Sequence, residues 1–222
     1  MRQSVVVRPD SPDRIRHDRQ SLWEYYDRRA AEGVRGLANA HAYWTGLGLA
    51  VDTGEIAAEA AEVERQLRSL DPTTFIEVGC GPGTFTSMLA GTGVALDQSH
   101  SALRWLRSQW PQAPVVRADG GCLPMRDHAV ARFFAAHLYG LLQPEERGAL
   151  LLEARRVARE IVILDAGRPS GVKAEEWQDR TLPEGGRYRI YRRHFDPGVL
   201  ADEIGGEVLF AGRFYVLARA RS

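Results

Sequence analysis

The sequence contains almost no lysine and little cysteine, and it has no excess of either charge. Lys173 is the only lysine among 29 basic residues, and 29 acidic residues balance them to a net charge of zero. A balanced charge provides no electrostatic footprint for nucleic-acid binding. Two cysteines, Cys80 and Cys122, are too few for a disulfide framework. We therefore expect a protein without a nucleic-acid partner that works in a reducing compartment.

Long apolar segments are also missing. No run approaches the roughly 20 residues that span a bilayer, and residues 1–10 lack the apolar core of a signal peptide. These absences predict a cytoplasmic protein with no membrane partner. They leave the oligomeric state open.

What is present is the composition of a soluble globular chain, with 44% hydrophobic and 26% charged residues over 222 positions. That length favours one domain with a small extra element. Residues 1–17 are polar and contain two prolines, which indicates a loose arm. Apolar periodicity predicts a helix over 18–32, and an Ala/Glu-rich composition before Asp71-Pro72 predicts another over 52–70. Residues 36–51 receive no assignment. We divide the chain into an arm and helical cap or lid, 1–72, and a core, 73–222.

After Pro72 short apolar segments alternate with helical patterns, which predicts a parallel sheet covered on both faces. The last segment differs, because Asp196-Pro197 begins a short helix and two strands follow it as a hairpin. The predicted strands are 74–78, 93–97, 114–118, 132–137, 160–165, 207–211 and 214–220, with helices at 83–91, 100–109 and 144–158.

A glycine-rich turn follows the first of these strands. Residues 75–83 read Phe-Ile-Glu-Val-Gly-Cys-Gly-Pro-Gly, which is a buried strand with an acid, then glycines on alternate positions, then a predicted helix. Glycines let a ligand approach the backbone closely, and a helix N-terminus offers unpaired N–H groups. A dinucleotide fingerprint needs its third glycine where this chain has Thr84. The pattern, with Glu77 before the turn, suits a ligand with an ammonium group better than a pyrophosphate.

Two more carboxylates end the next strands. Asp97 closes the second strand, where an acid can accept hydrogen bonds from ribose hydroxyls, and Asp119 closes the third beside Gly120. Ligands of open α/β sheets bind at these carboxyl ends. Each acid alone can equally be a helix N-cap or turn residue. Their combination with the glycine turn favours a ligand site.

These motifs resemble class I S-adenosylmethionine-dependent methyltransferases of the small-molecule branch. The turn is similar to the family's E/D-x-G-x-G-x-G motif, and residues 119–127, with Leu123-Pro124-Met125 inside, are similar to its D-x-x-x-L-P-[F]-x-D segment. The segment 191–197 with the hairpin after it, and the aromatic residues of 23–27, resemble the same branch. The family implies a Rossmann-like sheet of seven mostly parallel strands whose terminal strand is antiparallel, with helices on both faces.

The resemblance also implies the cofactor site, for S-adenosylmethionine with S-adenosylhomocysteine as its product. Glu77 and the glycine turn would hold the methionine end, Asp97 the ribose, Asp119 and Gly120 the adenine, and Ala136 and His137 the sulfonium side. The full set of expected cofactor contacts is Tyr26, Glu77, Gly79, Cys80, Gly81, Gly83, Asp97, Gln98, Asp119, Gly120, Ala136 and His137. Cys80 and Cys122 are expected to be small turn residues and not nucleophiles.

The acceptor side is less specific. His137 is the candidate general base, with a cofactor contact or a packing role as the alternatives. Aromatic and basic residues supply the other acceptor candidates, which are Tyr25, Tyr43, Trp44, Tyr139 and Arg192. The last belongs to a run with Arg187, Arg189 and Arg193 that would clamp an acidic acceptor or form a solvated edge. We expect no metal, because no clustered Cys/His spacing occurs.

The expected activity is methyl transfer to O, N or C of a small molecule, by in-line displacement with catalysis mainly through proximity. An RNA or protein methyltransferase, a nicotinamide-dependent oxidoreductase and a non-catalytic cofactor-binding subunit are the alternatives. No N-P-P-Y type tetrad follows the fourth strand, which reads Ala-His-Leu-Tyr over 136–139. The arginine excess is typical of a GC-rich genome and favours secondary metabolism.

Overall fold

A computed structural model describes Leu22 and residues 24–29, 40–183 and 185–221. Residues 24–29 are helical, and the remaining elements follow in chain order. The helices are α1 (Ala40–Gly46), α2 (Thr53–Arg68), α3 (His100–Gln109), α4 (Pro144–Val157) and α5 (Pro197–Ile204). The strands are β1 (Thr73–Val78), β2 (Gly91–Asp97), β3 (Val115–Arg117), β4 (Val130–Ala136), β5 (Ala158–Ala166), β6 (Glu175–Thr181), β7 (Arg187–Arg193), β8 (Glu207–Ala211) and β9 (Tyr215–Arg221).

Seven strands form one sheet in the order β3-β2-β1-β4-β5-β9-β8. The pairs from β3 to β5 are parallel, whereas β9 runs antiparallel to both β5 and β8. This confirms the predicted seven-stranded, mostly parallel sheet with an antiparallel terminal strand. The strand order reverses between β1 and β4, and in open α/β sheets that reversal marks the crevice where ligands bind.

Both faces of the sheet are covered, as predicted. Successive side chains of a strand point to opposite faces, and the core follows that rule. Phe133 and Ile161 pack in one cluster with α4 and α5, while their neighbours Phe134 and Val162 pack in another with α2. The central strands are therefore buried on both sides, and this explains their continuous apolar sequences.

Local signals account for the helix ends. Asp52 is the N-cap of α2, since its Oδ1 accepts from the backbone N–H groups of Gly54 and Glu55 at 2.7 and 3.1 Å. Helix α5 begins at Pro197 and ends at Gly205, which adopts a left-handed conformation. None of the described helices is long and apolar enough to cross a bilayer. The division into a cap, 1–72, and a core, 73–222, stays a prediction, and the arm of 1–17 lies outside the described residues.

The helix predicted over 83–91 is wrong. That segment consists of turns and a single 3-10 turn, Thr86–Met88. Gly83 and Gly91, with φ of +85° and +120°, adopt backbone conformations outside the right-handed helix at both ends of the segment. Too few residues remain between them for a helical crossover.

A two-stranded antiparallel sheet, β6–β7, was not predicted. The first strand, EEWQDRT, has no apolar alternation, and in the second, RYRIYRR, Tyr188 and Ile190 alternate with arginines over only four residues. Opposite charges face each other across the pair instead, as in Glu175 with Arg193, Glu176 with Arg192 and Asp179 with Arg189. The arginine run is thus one half of a charge-paired hairpin.

Candidate functional site

The glycine-rich turn after β1 is held against the end of β2. The N–H groups of Gly79 and Cys80 donate to the carbonyl of Leu96 at 2.8 and 3.0 Å. Gly79, Gly81 and Gly83 have φ of +73°, +52° and +85°, which only glycine adopts at low cost. A Cβ added at Gly81 would meet no atom within 4 Å. The backbone of the turn is therefore accessible to a ligand at Gly81, beside the point between β1 and β4 where the strand order reverses.

Glu77 lies under this turn and is 1% exposed. Its Oε2 accepts from the Thr86 hydroxyl, but its Oε1 is buried without a hydrogen-bond partner among the described residues. Burial raises the pKa of the Glu77 carboxyl to about 8, against the hydrogen bond from Thr86. A buried acceptor without a donor is costly, so this oxygen is matched to a cationic or hydrogen-bonding ligand group.

Asp97 lies at the end of β2, next to the turn. Its Oδ2 accepts from the Gly81 N–H and its Oδ1 from the Ser99 N–H, both at 2.8 Å. Burial raises the pKa of the Asp97 carboxyl, and these backbone hydrogen bonds act against the rise. Each carboxylate oxygen has a second lone pair, so the side chain is fixed and can still accept from a ligand.

The helical residues 24–29 are anchored beside Asp97. Oδ1 of Asp27 accepts from the Ser99 hydroxyl at 2.6 Å and from the Ser101 N–H at 3.0 Å. Ser99 is the N-cap of α3, and an acid there complements the positive end of the helix dipole. The sequence analysis missed Asp27, although it directly follows the predicted Tyr26.

The remaining predicted cofactor contacts lie near the same edge of the sheet. Gln98 directly follows β2, and its carbonyl accepts from Arg117 Nε at 2.9 Å. Asp119 Oδ1 accepts from the Gly121 N–H at 2.9 Å, which is a turn role. A Cβ at Gly120 would come within 3.0 Å of both Leu150 and Val78. Burial raises the pKa of the Cys80 thiol, and Cys80 is 4% exposed, so its placement matches that of a small turn residue.

A second group of polar side chains lies at the ends of β4 and β5. His137 directly follows β4, in a left-handed conformation with φ of +53°. Its Nδ1 lies 3.9 Å from Oδ1 of Asp165, which is fully buried in β5. Nη2 of Arg192, from β7, lies 3.0 Å from the same oxygen. Burial lowers the pKa of the His137 imidazole to about 4, and the Arg192 charge contributes to that shift while Asp165 opposes it.

Tyr43 connects Arg192 to His194. The Tyr43 hydroxyl and His194 Nε2 are 2.5 Å apart, and His194 Nδ1 lies 3.0 Å from the carbonyl of Lys173. Burial, with the Arg192 charge, lowers the pKa of His194 to about 4. The neutral ring therefore donates a hydrogen bond from Nδ1 to the Lys173 carbonyl and accepts one at Nε2 from the Tyr43 hydroxyl.

Two guanidinium groups lie over the Tyr43 ring. The Cζ atoms of Arg180 and Arg192 are 5.0 and 5.9 Å from its centroid. Tyr26 belongs to the same neighbourhood, since burial raises the pKa of its hydroxyl and the charges of Arg192 and Arg180 oppose the rise. The structure thus brings the predicted Tyr26, Tyr43, His137 and Arg192 into one cluster.

Three predicted acceptor residues lie elsewhere or are covered. Trp44 is 2% exposed and packs against Phe214 and His194. Tyr139 is equally buried, stacks on Phe195 and donates to Glu203 at 3.0 Å. Because Trp44 and Tyr139 are both buried, neither is placed to contact an acceptor directly. Tyr25 packs on the β6–β7 hairpin, with its ring edge-on to Tyr188.

Sequence reasoning missed Asp165, His194 and Arg180 as members of the cluster. Asp165 carries a usable signal, because a charged residue directly after the apolar stretch 161–164 of a central strand is unusual. Arg180 and His194 carry none, since only the unpredicted hairpin brings them to the site. Among the described residues, no three His, Cys, Asp or Glu side chains are arranged to hold a metal ion.

Comparison with known proteins adds to this geometry. Residues 75–160 match a family model described as a methyltransferase domain. The DhpI–SAM–HEP complex superposes with a TM-score of 0.72 at 21% identity, covering 93% of this chain and 98% of that one. The DhpI–SAH complex superposes with a TM-score of 0.69 at 20% identity, covering 93% and 97%.

A glycopeptide N-methyltransferase, MtfA, complexed with sinefungin, is a further structural neighbour. It superposes with a TM-score of 0.55 at 18% identity, covering 73% of this chain and 92% of that chain. At these identities the likeness is one of fold. None of the curated proteins matches the chain.

Proposed function

We propose that the chain, whose residues 75–160 match a family model described as a methyltransferase domain, is a class I S-adenosylmethionine-dependent methyltransferase that methylates O, N or C of a small-molecule acceptor. S-adenosylmethionine supplies a methyl group already activated by a sulfonium, so that in-line displacement needs no protein nucleophile. The chain's contribution is then to bind, to orient and to exclude water.

The observation that carries this proposal is Oε1 of Glu77, which is buried beneath the glycine turn without a hydrogen-bond partner in the described part of the chain. An unpaired carboxylate oxygen fits the cofactor's ammonium group, and the open backbone at Gly81 leaves room for the methionine end. Asp97, held by two backbone N–H groups, would accept from the ribose hydroxyls. Asp119 and Gly120 would lie by the adenine, and Gln98 would be a further cofactor contact. Ala136 and His137, at the end of β4, would lie by the sulfonium.

His137 would orient the acceptor and take its proton. Because burial lowers the pKa of His137 to about 4, the imidazole is neutral at physiological pH and free to accept a hydrogen bond. A base with so low a pKa removes a proton from a neutral hydroxyl weakly. The proposed role as a base is therefore strongest for an acceptor that loses its proton easily.

Helical residues 24–29 and the β6–β7 hairpin cover the site, which favours a small acceptor over a macromolecule. The helical residues 24–29 are anchored to Ser99 and Ser101 on one side, and Tyr25 packs against Tyr188 of β7 on the other. The net charge of zero supports the same choice and gives no reason to propose a nucleic-acid or membrane partner. We extend the proposal to a cytoplasmic enzyme of secondary metabolism.

Two measurements test the proposal. Calorimetry should detect binding of S-adenosylmethionine but not of NADH, whereas binding of NADH alone contradicts it. Transfer of a radiolabelled methyl group should then label a small-molecule metabolite extract and neither total RNA nor protein. Label recovered in RNA or protein overturns the choice of acceptor class. Cofactor binding without transfer to any fraction supports a non-catalytic partner subunit instead.

A further inference from the structure

The two faces of the β6–β7 hairpin differ in what they contact. Residues alternate between faces, so Arg192, opposite Glu176, shares its face with Arg180, opposite Tyr188. This face meets Tyr26 and Tyr43. Arg189, opposite Asp179, lies on the other face and packs over Trp177. The hairpin therefore presents two arginines, and not four, to the site.

The carboxylates near this face, Asp165 and Glu176, already accept hydrogen bonds from other groups. Asp165 accepts from Arg192, and from the N–H groups of Gly140 and Ala166 at 2.7 and 2.8 Å. Glu176 accepts from the Gln178 amide at 2.6 Å. Among the residues that the structure describes, Arg180 donates to the carbonyl oxygen of that same amide and to no other acceptor. Within the described ranges, no carboxylate lies within 4 Å of the Arg180 guanidinium, which is half-buried.

Arg192 also has donor capacity left. Its side chain is 8% exposed, and its Nε is buried without a hydrogen-bond partner among the described residues. Arginine carries five N–H donors in a planar fork, and Asp165 uses Nη2. An unsatisfied buried donor on a charged group costs more than one on a neutral group. Both guanidiniums therefore keep N–H groups without an acceptor in the described part of the chain, and both flank the Tyr43 ring.

Taking the proposed function as its basis, we propose that Arg180 and Arg192 form an oxyanion site that binds a carboxylate or phosphonate-type group on the methyl acceptor. Guanidinium groups match such oxyanions in charge and shape. Tyr43 and Tyr26 line the site, and the link from Arg192 through Asp165 to His137 places it beside the end of β4. Arg180 is the specificity-determining residue, since Arg192 already donates a hydrogen bond to Asp165.

The test uses the full chain loaded with S-adenosylhomocysteine, titrated with acetate or methylphosphonate and, as a salt control, chloride at matched ionic strength. The increase in melting temperature reports binding. We expect at least one of the two oxyanions to bind and chloride not to. Acetate and methylphosphonate are separate arms, so their relative affinities distinguish a carboxylate acceptor from a phosphonate one.

Arg180→Gln is the diagnostic variant, and Arg189→Gln is its matched control on the opposite face of the same hairpin. Arg180→Gln should weaken oxyanion binding by about 10- to 100-fold, as expected for a lost charge-assisted hydrogen bond. Arg189→Gln should leave it unchanged. Affinity for S-adenosylhomocysteine, measured by calorimetry, should be the same in all three proteins.

Three results overturn the inference while leaving the proposed function intact. They are absence of oxyanion binding to the wild type, equal weakening by both variants, and a loss of S-adenosylhomocysteine affinity in Arg180→Gln. The last result assigns the guanidinium to the carboxylate of the cofactor. If the wild type binds no S-adenosylhomocysteine, the proposed function fails first, and the inference fails with it.

Discussion

Nη2 of Arg192 donates to Oδ1 of Asp165 across 3.0 Å, and both side chains are almost completely buried. Removing one member of a buried ion pair leaves the charge of the other member buried without a partner. Asp165→Asn should therefore lower the free energy of unfolding by about 3–5 kcal/mol. Arg192→Gln should cost a comparable amount. The double variant should cost less than the sum by more than about 1 kcal/mol, which urea denaturation of all four proteins measures.

The Arg168–Asp196 pair, 2.6 Å apart, serves as the control for this cycle, because its side chains are 39% and 46% exposed. Its coupling should stay below about 1 kcal/mol. Equal coupling in the two pairs contradicts the role of burial.

Binding of S-adenosylmethionine should release a proton from Glu77. In the free protein the pKa of Glu77 is raised to about 8, so the carboxyl is largely protonated at pH 7. An ammonium beside it favours the ionised form and lowers that pKa in the complex. Affinity should accordingly rise with pH and level off above about pH 8. Calorimetry at pH 7 in buffers of different ionisation enthalpy measures the released proton.

Glu77→Gln should abolish this proton release and weaken binding. Glu64→Gln, an exposed position on α2, should retain the release. Proton uptake by the wild type contradicts the proposed contact.

Asp97→Ala should weaken binding of S-adenosylmethionine by about 1.5–3 kcal/mol, since a charged acceptor for two hydroxyls is lost. Asp97 also holds the Gly81 and Ser99 N–H groups, so circular dichroism should accompany the calorimetry. Unchanged affinity in a folded variant shows that the ribose lies elsewhere.

His137→Ala should reduce the turnover number more than the affinity for S-adenosylmethionine, because the neutral imidazole acts on the acceptor. Because a base with a pKa of about 4 is weak, we expect a loss of about 10- to 100-fold in turnover with an identified acceptor, at the low end of general-base catalysis. Steady-state kinetics and calorimetry separate the two quantities. Parallel losses make His137 a cofactor contact only.

Gly120→Ala should lower the free energy of unfolding by about 1–3 kcal/mol, because the new methyl group would meet Leu150 and Val78 at 2.8 and 2.9 Å. Gly148→Ala is the control, since a Cβ there meets nothing within 4 Å inside α4. It should stabilise the protein by about 0.5–1 kcal/mol. Thermal or urea denaturation compares them, and a neutral Gly120→Ala contradicts the close packing of this turn.

The central sheet was readable from the sequence because its strands are buried on both faces. Burial on both sides demands continuous apolar segments such as β4 and β5, and these alternate visibly with helices. The β6–β7 hairpin was not predicted from the sequence, for the opposite reason. It is stabilised by pairs such as Glu175 with Arg193, whose partners are far apart in the sequence. The many charged residues of both strands resemble a solvated charged segment, and the alternation of Tyr188 and Ile190 is too short to outweigh them.

By itself, the sequence determined the sheet, and it predicts the ligand contacts of the glycine turn, since the glycines and the acid before them act through local backbone geometry. Only the tertiary structure decided which charged groups meet at the acceptor side. Arg180, Arg192, Asp165 and Tyr43 come from four separate elements, and their mutual distances depend on how a hairpin packs on a sheet. Electrostatic interactions act through space, so a pattern along the chain does not contain them.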